Sequence, residues 1–352
     1  MLFPSVHFIG LLLVMLMCNM STAQAQKTHT LPAPLDEHYV SLNHAIDLTY
    51  REAYAAADSI FRTVAEAAPD HPAAYLFLAG SKQADMMDHE DYDQAEVFTA
   101  LLDTAETKAD AWIEAHPDDP WGYCFLGHTR GYRAMWEARE GSWFAALKVG
   151  LKAKGAYHEA LKRDSMCYDA YLGLGSYHYW KSARTEFINW TGLFVKDDKK
   201  KGVAEMKRAM ADGIFCKAAA AAGLIWVYLD QKKSVEAQQL AAQWQSQYPE
   251  GKTFLWGQAF AAYDGGVLGD ALTLFDTLHT RVAADTAQTY FNLIEIDYHR
   301  AECYDLMSRK ERACAIADTI VSYPASDTIK KRQKDRLKDT RKFRKKQCGV
   351  EK

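Results

Sequence analysis

Acidic side chains and histidines are the residues in this sequence best suited to metal binding. The run 88–93 reads Asp-His-Glu-Asp-Tyr-Asp and concentrates carboxylates that could attract a cation. It lacks the twelve-residue pattern of a calcium loop, with its central glycine and terminal glutamate. We therefore predict a solvated turn between two helices at this point, and no metal site.

Catalytic motifs are absent from the sequence. It contains no G-x-S-x-G, no H-E-x-x-H and no glycine-rich phosphate loop, and its twelve histidines lack metal-ligand spacing. His71 and His116 stand next to prolines, where we expect solvated turn residues. The alternative function, a hydrolase built on a helical scaffold, would need convergent groups, for instance around His128 and Asp169. We expect no catalytic residues and no cofactor.

The composition is that of a globular protein. The 352 residues are 49% hydrophobic and 12% aromatic, and the formal net charge is −4. A sequence this apolar can form a sizeable core, and an acidic balance disfavours general nucleic-acid binding. We expect no nucleic-acid partner.

The N-terminus has the pattern of a secretory signal. Residues 1–25 contain no Lys, Arg, Asp or Glu, and Phe8–Met17 is an apolar run of ten, too short to cross a bilayer of about 30 Å. Small residues at Ala23 and Ala25 predict cleavage before Gln26. A lipoprotein signal with Cys18 as the acceptor is the alternative. Either way we expect an exported protein: in the periplasm if the source is Gram-negative, or, as the alternative, an outer-membrane lipoprotein anchored through Cys18.

Six cysteines remain after such a cleavage, and an even number permits disulfides in an oxidising compartment. Their spacing is irregular and includes no C-x-x-C, so we predict neither a redox motif nor a zinc site. Free buried thiols are slightly favoured over disulfides. The six are Cys124, Cys167, Cys216, Cys303, Cys314 and Cys348.

A repeated pattern of small and large residues indicates the fold. Ala153, Tyr157 and Ala160 share one helical face, and Tyr171 and Leu174 share a face of the next predicted helix. A small residue beside a large one lets paired helices interlock. The pattern recurs with a turn proline in the segments 57–79, 105–127 and 237–259, and begins again at 271–278.

These residues resemble the tetratricopeptide repeat (TPR) family over roughly residues 38–324, most closely at 153–175 and 237–283. The resemblance implies an all-α, TPR-like α-solenoid: six or seven antiparallel helix pairs stacked into a right-handed superhelix with one concave surface. Several units are longer than the repeat that is standard in the family. We predict two lengthened helices around Gly141-Ser142, each roughly 30 Å long at the usual rise per residue. We also predict an inserted loop over 181–200.

The resemblance also implies which side chains face the concave surface, because family positions can be counted along each first helix. Most are aromatic, which favours binding of an extended peptide or a partner helix. The alternative is that the longer helices shift the register and bury several rings. The predicted partner-binding residues are Trp121, His128, Tyr132, Tyr179, Trp180, Trp226, Trp256, Phe260 and Tyr263.

The predicted groove positions carry no Lys, Arg or Asn, so we expect no chaperone-type carboxylate clamp.

The apolar insertion 187–194 could form a lid over the groove or touch a membrane or a partner. The segment 327–352 holds twelve Lys and Arg against four Asp and Glu, a net charge of +8. We predict a solvated capping helix there, with anionic lipid or the acidic body as alternative partners.

The sequence thus predicts four parts: a signal peptide (1–25), a linker (26–37), a TPR-like helical domain (38–326) and a basic C-terminal helix or tail (327–352). The predicted function is that of an exported, non-enzymatic scaffold that binds a protein or peptide within a cell-envelope or secretion assembly. The alternatives are an enzyme, or a peripheral membrane protein that uses the 187–194 loop and the basic tail.

Overall fold

The structure is a computed structural model that describes residues 31–32, 34–189 and 197–349. Every regular element in these residues is a helix, and none is a strand, so the all-α prediction is confirmed. The sixteen helices are α1 (Leu35–Tyr50), α2 (Tyr54–Ala67), α3 (Ala73–His89), α4 (Ala95–Ala115), α5 (Pro120–Arg139), α6 (Trp143–Arg163), α7 (Ala170–Asn189), α8 (Lys199–Asp212), α9 (Lys217–Asp230), α10 (Ser234–Gln245), α11 (Thr253–Asp264), α12 (Leu268–Ala284), α13 (Phe291–Leu306), α14 (Lys310–Ser322), α15 (Asp327–Arg332) and α16 (Lys334–Gln347).

Helices α1 to α14 form seven pairs, each made of a first and a second helix. Each helix packs against its neighbours in the chain, as in an α-solenoid. Most turns within pairs share one conformation. In each of them a residue with positive φ follows the first helix, and this backbone conformation ends the helical hydrogen bonding. In the described part of the chain these residues are Glu52, Glu90, Gly141, Lys232, Gly266 and Ser308.

Small and large residues interlock between neighbouring pairs, as the sequence pattern predicts. Tyr157 on α6 is buried, and its ring lies between Gly127 on α5 and Gly173 on α7. A Cβ atom at either glycine would clash with the ring. The helices can therefore approach only because these positions lack a side chain.

Helix lengths follow the sequence analysis in one unit and depart from it in the next. Helices α5 and α6 have 20 and 21 residues, the lengthening predicted around Gly141-Ser142. The loop predicted over 181–200 is partly wrong, because α7 continues to Asn189 and α8 already begins at Lys199. Residues 190–196 lie outside the described residues, and they include most of the apolar insertion.

Phe215 fills the inner side of the first three pairs. It belongs to the loop between α8 and α9 and is 7% exposed. Its ring lies 5.3 Å from that of Phe77 and 5.5 Å from that of Trp121, measured between centroids. The Asp169 carboxylate holds this loop by accepting hydrogen bonds from the backbone N–H groups of Ile214 and Phe215, at 2.6 and 2.9 Å.

The solenoid curls until its first pairs touch its last ones, and we call this contact region the closure. Lys252, at the start of α11, forms ion pairs with Glu52 and, at 3.1 Å, with Asp88. All three side chains are largely buried. Burial alone would lower the pKa of Lys252, but the two carboxylates raise this pKa above its usual value, which favours the charged form.

Aromatic packing and backbone contacts extend the closure. Tyr50 stacks on Phe254 with 5.9 Å between centroids and packs against Tyr248 at 5.4 Å. Gly251 lies so close to the carbonyl oxygen of Tyr50 that a Cβ atom would not fit. The Asn292 side chain donates to the carbonyl oxygen of Asp88 at 2.6 Å.

The basic C-terminal segment is packed against the body, and the prediction of a solvated helix is wrong for its apolar side. Ile329 and Leu337 are buried against α13 and α14, and Arg336 forms an ion pair with Glu295 at 2.7 Å. A disulfide joins Cys314 to Cys348. The other four cysteines in the described residues are free and buried, so the preference for free thiols holds for four of the six.

Replacing Phe215 with Ala should lower the free energy of unfolding by about 3–5 kcal/mol, because a large buried ring is lost and the surrounding rings cannot close the cavity. Phe144→Ala is the matched control, since that ring is 92% exposed and its loss should change stability by less than about 0.5 kcal/mol. Urea unfolding followed by circular dichroism measures both. Equal effects of the two substitutions would contradict the packing of Phe215.

Replacing Lys252 with Ala should lower the free energy of unfolding by about 3–5 kcal/mol, because Glu52 and Asp88 would remain buried without their cation. The control is Glu250→Ala, which removes the exposed Arg51–Glu250 pair of the same closure and should cost at most about 1 kcal/mol. Urea unfolding followed by circular dichroism measures the stability of both variants. A Lys252 variant as stable as the Glu250 variant would mean that the buried ion pairs do not hold the closure.

Candidate functional site

An open cleft lies between the first helices of three consecutive pairs, α7, α9 and α11. Its volume is about 290 Å³. Aromatic rings form its walls, with Leu229 and three charged side chains beside them. The lining residues are Trp180, Trp226, Leu229, Asp230, Lys232, Phe260 and Asp264.

Trp226 and Phe260 occupy equivalent positions in adjacent pairs. They are separated in the sequence by one TPR repeat length, and their ring centroids lie 5.8 Å apart. Trp226 is 42% exposed, which is unusual for a tryptophan beside other rings. Trp256 stacks on the other side of Phe260, also at 5.8 Å. The cleft therefore presents rings that are supported by packing and still reach solvent.

Two carboxylates stand four residues after those rings, one helical turn further along each helix. Asp230 accepts a hydrogen bond from the Tyr179 hydroxyl at 2.6 Å, which ties α9 to α7 beneath the cleft. Asp264 pairs with Lys232 at 3.3 Å, and this lysine side chain is 79% exposed. An exposed pair of this kind contributes little stability and can exchange partners readily.

Behind the cleft, Phe260 contacts a buried histidine. The His299 ring lies 5.1 Å from that of Phe260, and its nitrogens are 3.1 Å from Glu295 and 3.2 Å from Glu302. Burial alone would lower the pKa of His299, but these carboxylates raise this pKa above its usual value. Tyr263 donates to Glu302 at 2.9 Å. Tyr263 is thus held behind the cleft rather than in its lining.

Two of the predicted partner-binding residues belong to the core. Trp121 is 3% exposed because Phe215 covers it, and Tyr179 is fully buried between α7 and α9. The prediction that they contact a partner is corrected for both. The curled solenoid brings the α8–α9 loop onto the inner face. Counting family positions along each first helix cannot predict this contact.

His128 and Tyr132 are partly buried and lie away from the cleft. The Nδ1 atom of His128 is 3.2 Å from the Tyr157 hydroxyl, and burial lowers the pKa of His128 to about 4. Its neighbour in the enzyme alternative, Asp169, is buried and accepts from the two backbone N–H groups that hold the Phe215 loop. Both residues thus have structural partners in the fold.

The expectation of solvated turns is wrong for His71 and for Asp88 and His89 of the carboxylate run, whereas Asp91 and Asp93 are exposed in the turn between α3 and α4. His71 is buried edge-on against Trp112, with 4.7 Å between ring centroids, and burial lowers its pKa to about 4, whereas His116 is exposed. Asp88 and His89 both belong to the closure. Sequence reasoning missed this because their partners come from pairs far along the chain.

One group of ligand atoms at the closure has the spacing of a metal site. Single ligand atoms of Asp88, His89 and Asp285 lie within 4.8 Å of one another. However, the His89 nitrogens contact Asp85 at 2.8 Å and Asp285 at 3.0 Å, and Asp88 is paired with Lys252. Hydrogen bonding to Asp85, opposed by burial, raises the pKa of His89 to about 9. Protonated His89 and Lys252 already supply the positive charge that these carboxylates need.

Four residues of the cleft are outside the predicted partner-binding set: Leu229, Asp230, Lys232 and Asp264. A usable signal exists, since an aromatic residue followed by Asp at i+4 recurs at one repeat length between 226–230 and 260–264. The predicted signal peptide (1–25) and residues 190–194 of the apolar insertion lie outside the described residues. Within them, no helix combines the length and the apolar character needed to cross a bilayer.

Comparison with known proteins gives a likeness of fold. No protein-family model and no curated protein matches the chain. Among solved structures, a chain in the crystal structure of the APC/C hetero-tetramer Cut9–Hcn1 matches with a TM-score of 0.51 and 11% identity. The match covers 82% of this chain and 47% of that one, so this protein spans about half the length of that neighbour.

Two further structures match less closely. They are the C-terminal part of a TPR repeat-containing protein from Cytophaga hutchinsonii (TM-score 0.44, 18% identity, 82% and 97% coverage) and a tetratricopeptide repeat protein from Parabacteroides merdae (TM-score 0.42, 15% identity, 78% and 93% coverage). Seven stacked helix pairs, the recurring left-handed turn residue and paired ring positions one repeat length apart make this chain a helical-repeat protein with the TPR-like α-solenoid fold.

Proposed function

We propose that this protein is an exported, non-enzymatic scaffold that binds a polypeptide partner in the cleft between α7, α9 and α11. The TPR-like fold is that of a protein-interaction scaffold. The observation that carries the proposal is the exposed Trp226 beside Phe260 and Trp180, on three consecutive first helices. Aromatic rings on a rigid support give large contact area with little loss of side-chain entropy on binding.

The size and charge of the cleft favour one anchoring basic side chain. A volume of about 290 Å³ accommodates one or two side chains of a partner, at the lower limit of small-molecule pockets. A Lys or Arg side chain could lie over the Trp226 ring and pair with Asp230 or Asp264. Lys232 would then exchange its partner at small cost, because it is exposed.

Export is supported by two independent features. The segment 1–25, with its apolar run and without Lys, Arg, Asp or Glu, has the pattern of a signal peptide. The Cys314–Cys348 disulfide suits an oxidising compartment. A scaffold in the periplasm of a Gram-negative cell, within an envelope or secretion assembly, accommodates both features.

The mature protein should begin at Gln26 and carry Cys314 and Cys348 as a disulfide. Mass spectrometry of the protein purified from its native cell, with and without reduction, measures both properties. A lipid-modified N-terminus at Cys18 would replace the soluble form with an anchored one. An uncleaved N-terminus together with free thiols at both positions would contradict export.

Replacing Trp226 with Ala should weaken capture of the native partner at least tenfold, and Asp264→Asn should weaken it less, because the ring contributes most of the contact area. Crosslinking in native cells followed by quantitative mass spectrometry identifies what is captured. The control is Val40→Ala, which removes an apolar side chain that is 75% exposed and lies outside the cleft.

Two results would count against the cleft. One is that the Trp226 and wild-type proteins capture the same partners in the same amounts. The other is that the Val40 variant loses those partners while the Trp226 variant keeps them. Circular dichroism of each variant ensures that a loss of capture is not a loss of fold.

A further inference from the structure

The tip of the long hairpin formed by α5 and α6 carries a concentrated set of exposed apolar side chains. Of the thirteen large apolar side chains that are exposed in the described residues, five belong to this hairpin. Phe144 is 92% exposed and Trp143 66%. The five are Met135, Trp143, Phe144, Leu147 and Leu151. An apolar cluster of this kind on a protein surface marks an interaction site.

The cluster has the arrangement of a helix that lies on a membrane. Trp143, Leu147 and Leu151 follow one another at intervals of four residues, so they form one stripe along α6. Phe144, Lys148 and Lys152 form the adjacent stripe at the same interval, and both lysines are exposed. Aromatic and leucine side chains beside lysines are typical of helices that bind at the interface of a bilayer.

The charge of this helix face is of one sign. Residues 143–158 contain Lys148, Lys152 and Lys154 and neither Asp nor Glu, although the chain as a whole has a net charge of −4. An anionic surface would therefore be attracted to this face and repelled by much of the remaining protein. Binding would orient the molecule as well as anchor it.

The basic C-terminal segment begins close to the end of the hairpin that carries its tip. Arg139, at the end of α5, lies over the Tyr92 ring at 3.2 Å, and Arg332, at the end of α15, lies 5.2 Å from the same ring. Lys330 and Lys331 next to it are exposed. Two positively charged elements that are far apart in the sequence thus approach each other on one part of the surface.

We propose that the tip of the α5–α6 hairpin, residues 143–152, binds the surface of an anionic phospholipid membrane. Phe144 and Trp143 enter the interfacial layer, and Lys148 and Lys152 contact the lipid phosphates. A second copy of the chain fits this face less well, because symmetric contact would bring the same lysines of both copies together. The proposal does not depend on the polypeptide cleft, which lies on other helices.

The test is co-sedimentation of the full mature chain with vesicles of phosphatidylglycerol and phosphatidylcholine, compared with phosphatidylcholine alone. We expect binding to the anionic vesicles that falls with rising salt, and at least tenfold weaker binding by the double variant Trp143→Ser/Phe144→Ser. The substituted side chains are exposed, so the fold should be unchanged by circular dichroism. A second variant, Lys148→Glu/Lys152→Glu, keeps the apolar stripe and should bind anionic vesicles at least tenfold less.

Val40→Ser is the matched control, since it changes a side chain that is 75% exposed and lies outside both the hairpin and the cleft, and it should bind vesicles like the wild type. Three results would overturn the proposal. The first is failure of the wild type to bind anionic vesicles at low salt. The second is binding by both double variants as strong as that of the wild type, which would assign binding to another region such as 327–352. The third is a concentration-dependent dimer, measured by analytical ultracentrifugation, that the Trp143/Phe144 variant abolishes while vesicle binding is absent.

Discussion

The buried ammonium group of Lys252, held between the carboxylates of Glu52 and Asp88, joins the first two helix pairs of the solenoid to the start of α11. A stack of helix pairs normally makes contact only between neighbours, and its curvature is the sum of small rotations. Here the first and later pairs are joined directly, by residues far apart in the chain. Desolvation of a lysine and two carboxylates is costly, so the three groups stabilise the fold only as long as all remain together.

Closure of the solenoid decides which part of the inner surface stays available. Once the chain curls, the loop between α8 and α9 reaches the inner side of the first three pairs, and Phe215 packs against Phe77 and Trp121. That half of the concave face becomes core. Between α7, α9 and α11 no ring of the described residues fills the space in this way, and the cleft with Trp226 and Phe260 remains open. The same curvature thus buries one set of aromatic residues and exposes another.

The sequence predicted what depends on neighbouring residues. The faces formed by Ala153, Tyr157 and Leu174, and the long helices on either side of Gly141, follow from spacing and turn chemistry, which act over a few residues. The roles of Trp121, His71 and Asp88 could not be predicted in this way, because their partners come from distant pairs and depend on the accumulated rotation between units. A change of a few degrees per pair would separate Lys252 from Glu52 without altering any local pattern. For the cleft, the repeat spacing placed Trp226 and Phe260 at equivalent positions of adjacent pairs, and both line the cleft, since both belong to pairs of standard length.

The lengthened unit gives the molecule a second surface for a physical reason. Helices α5 and α6 are longer than the helices of most other pairs, such as α9 and α10 with 14 and 12 residues. Trp143 and Phe144 begin α6 directly after the Gly141-Ser142 turn, at the tip of this hairpin, and both stay exposed there. Leaving a phenylalanine ring in water forgoes roughly 1.5–3 kcal/mol of burial free energy, and two adjacent aromatic rings double that loss. Polar residues at these two positions would avoid it without disturbing the pairing of α5 with α6, which rests on other residues such as Leu126 and Ala156. The exposed rings are therefore best explained by a contact made outside the chain, and the lysines beside them determine the charge of the surface they meet.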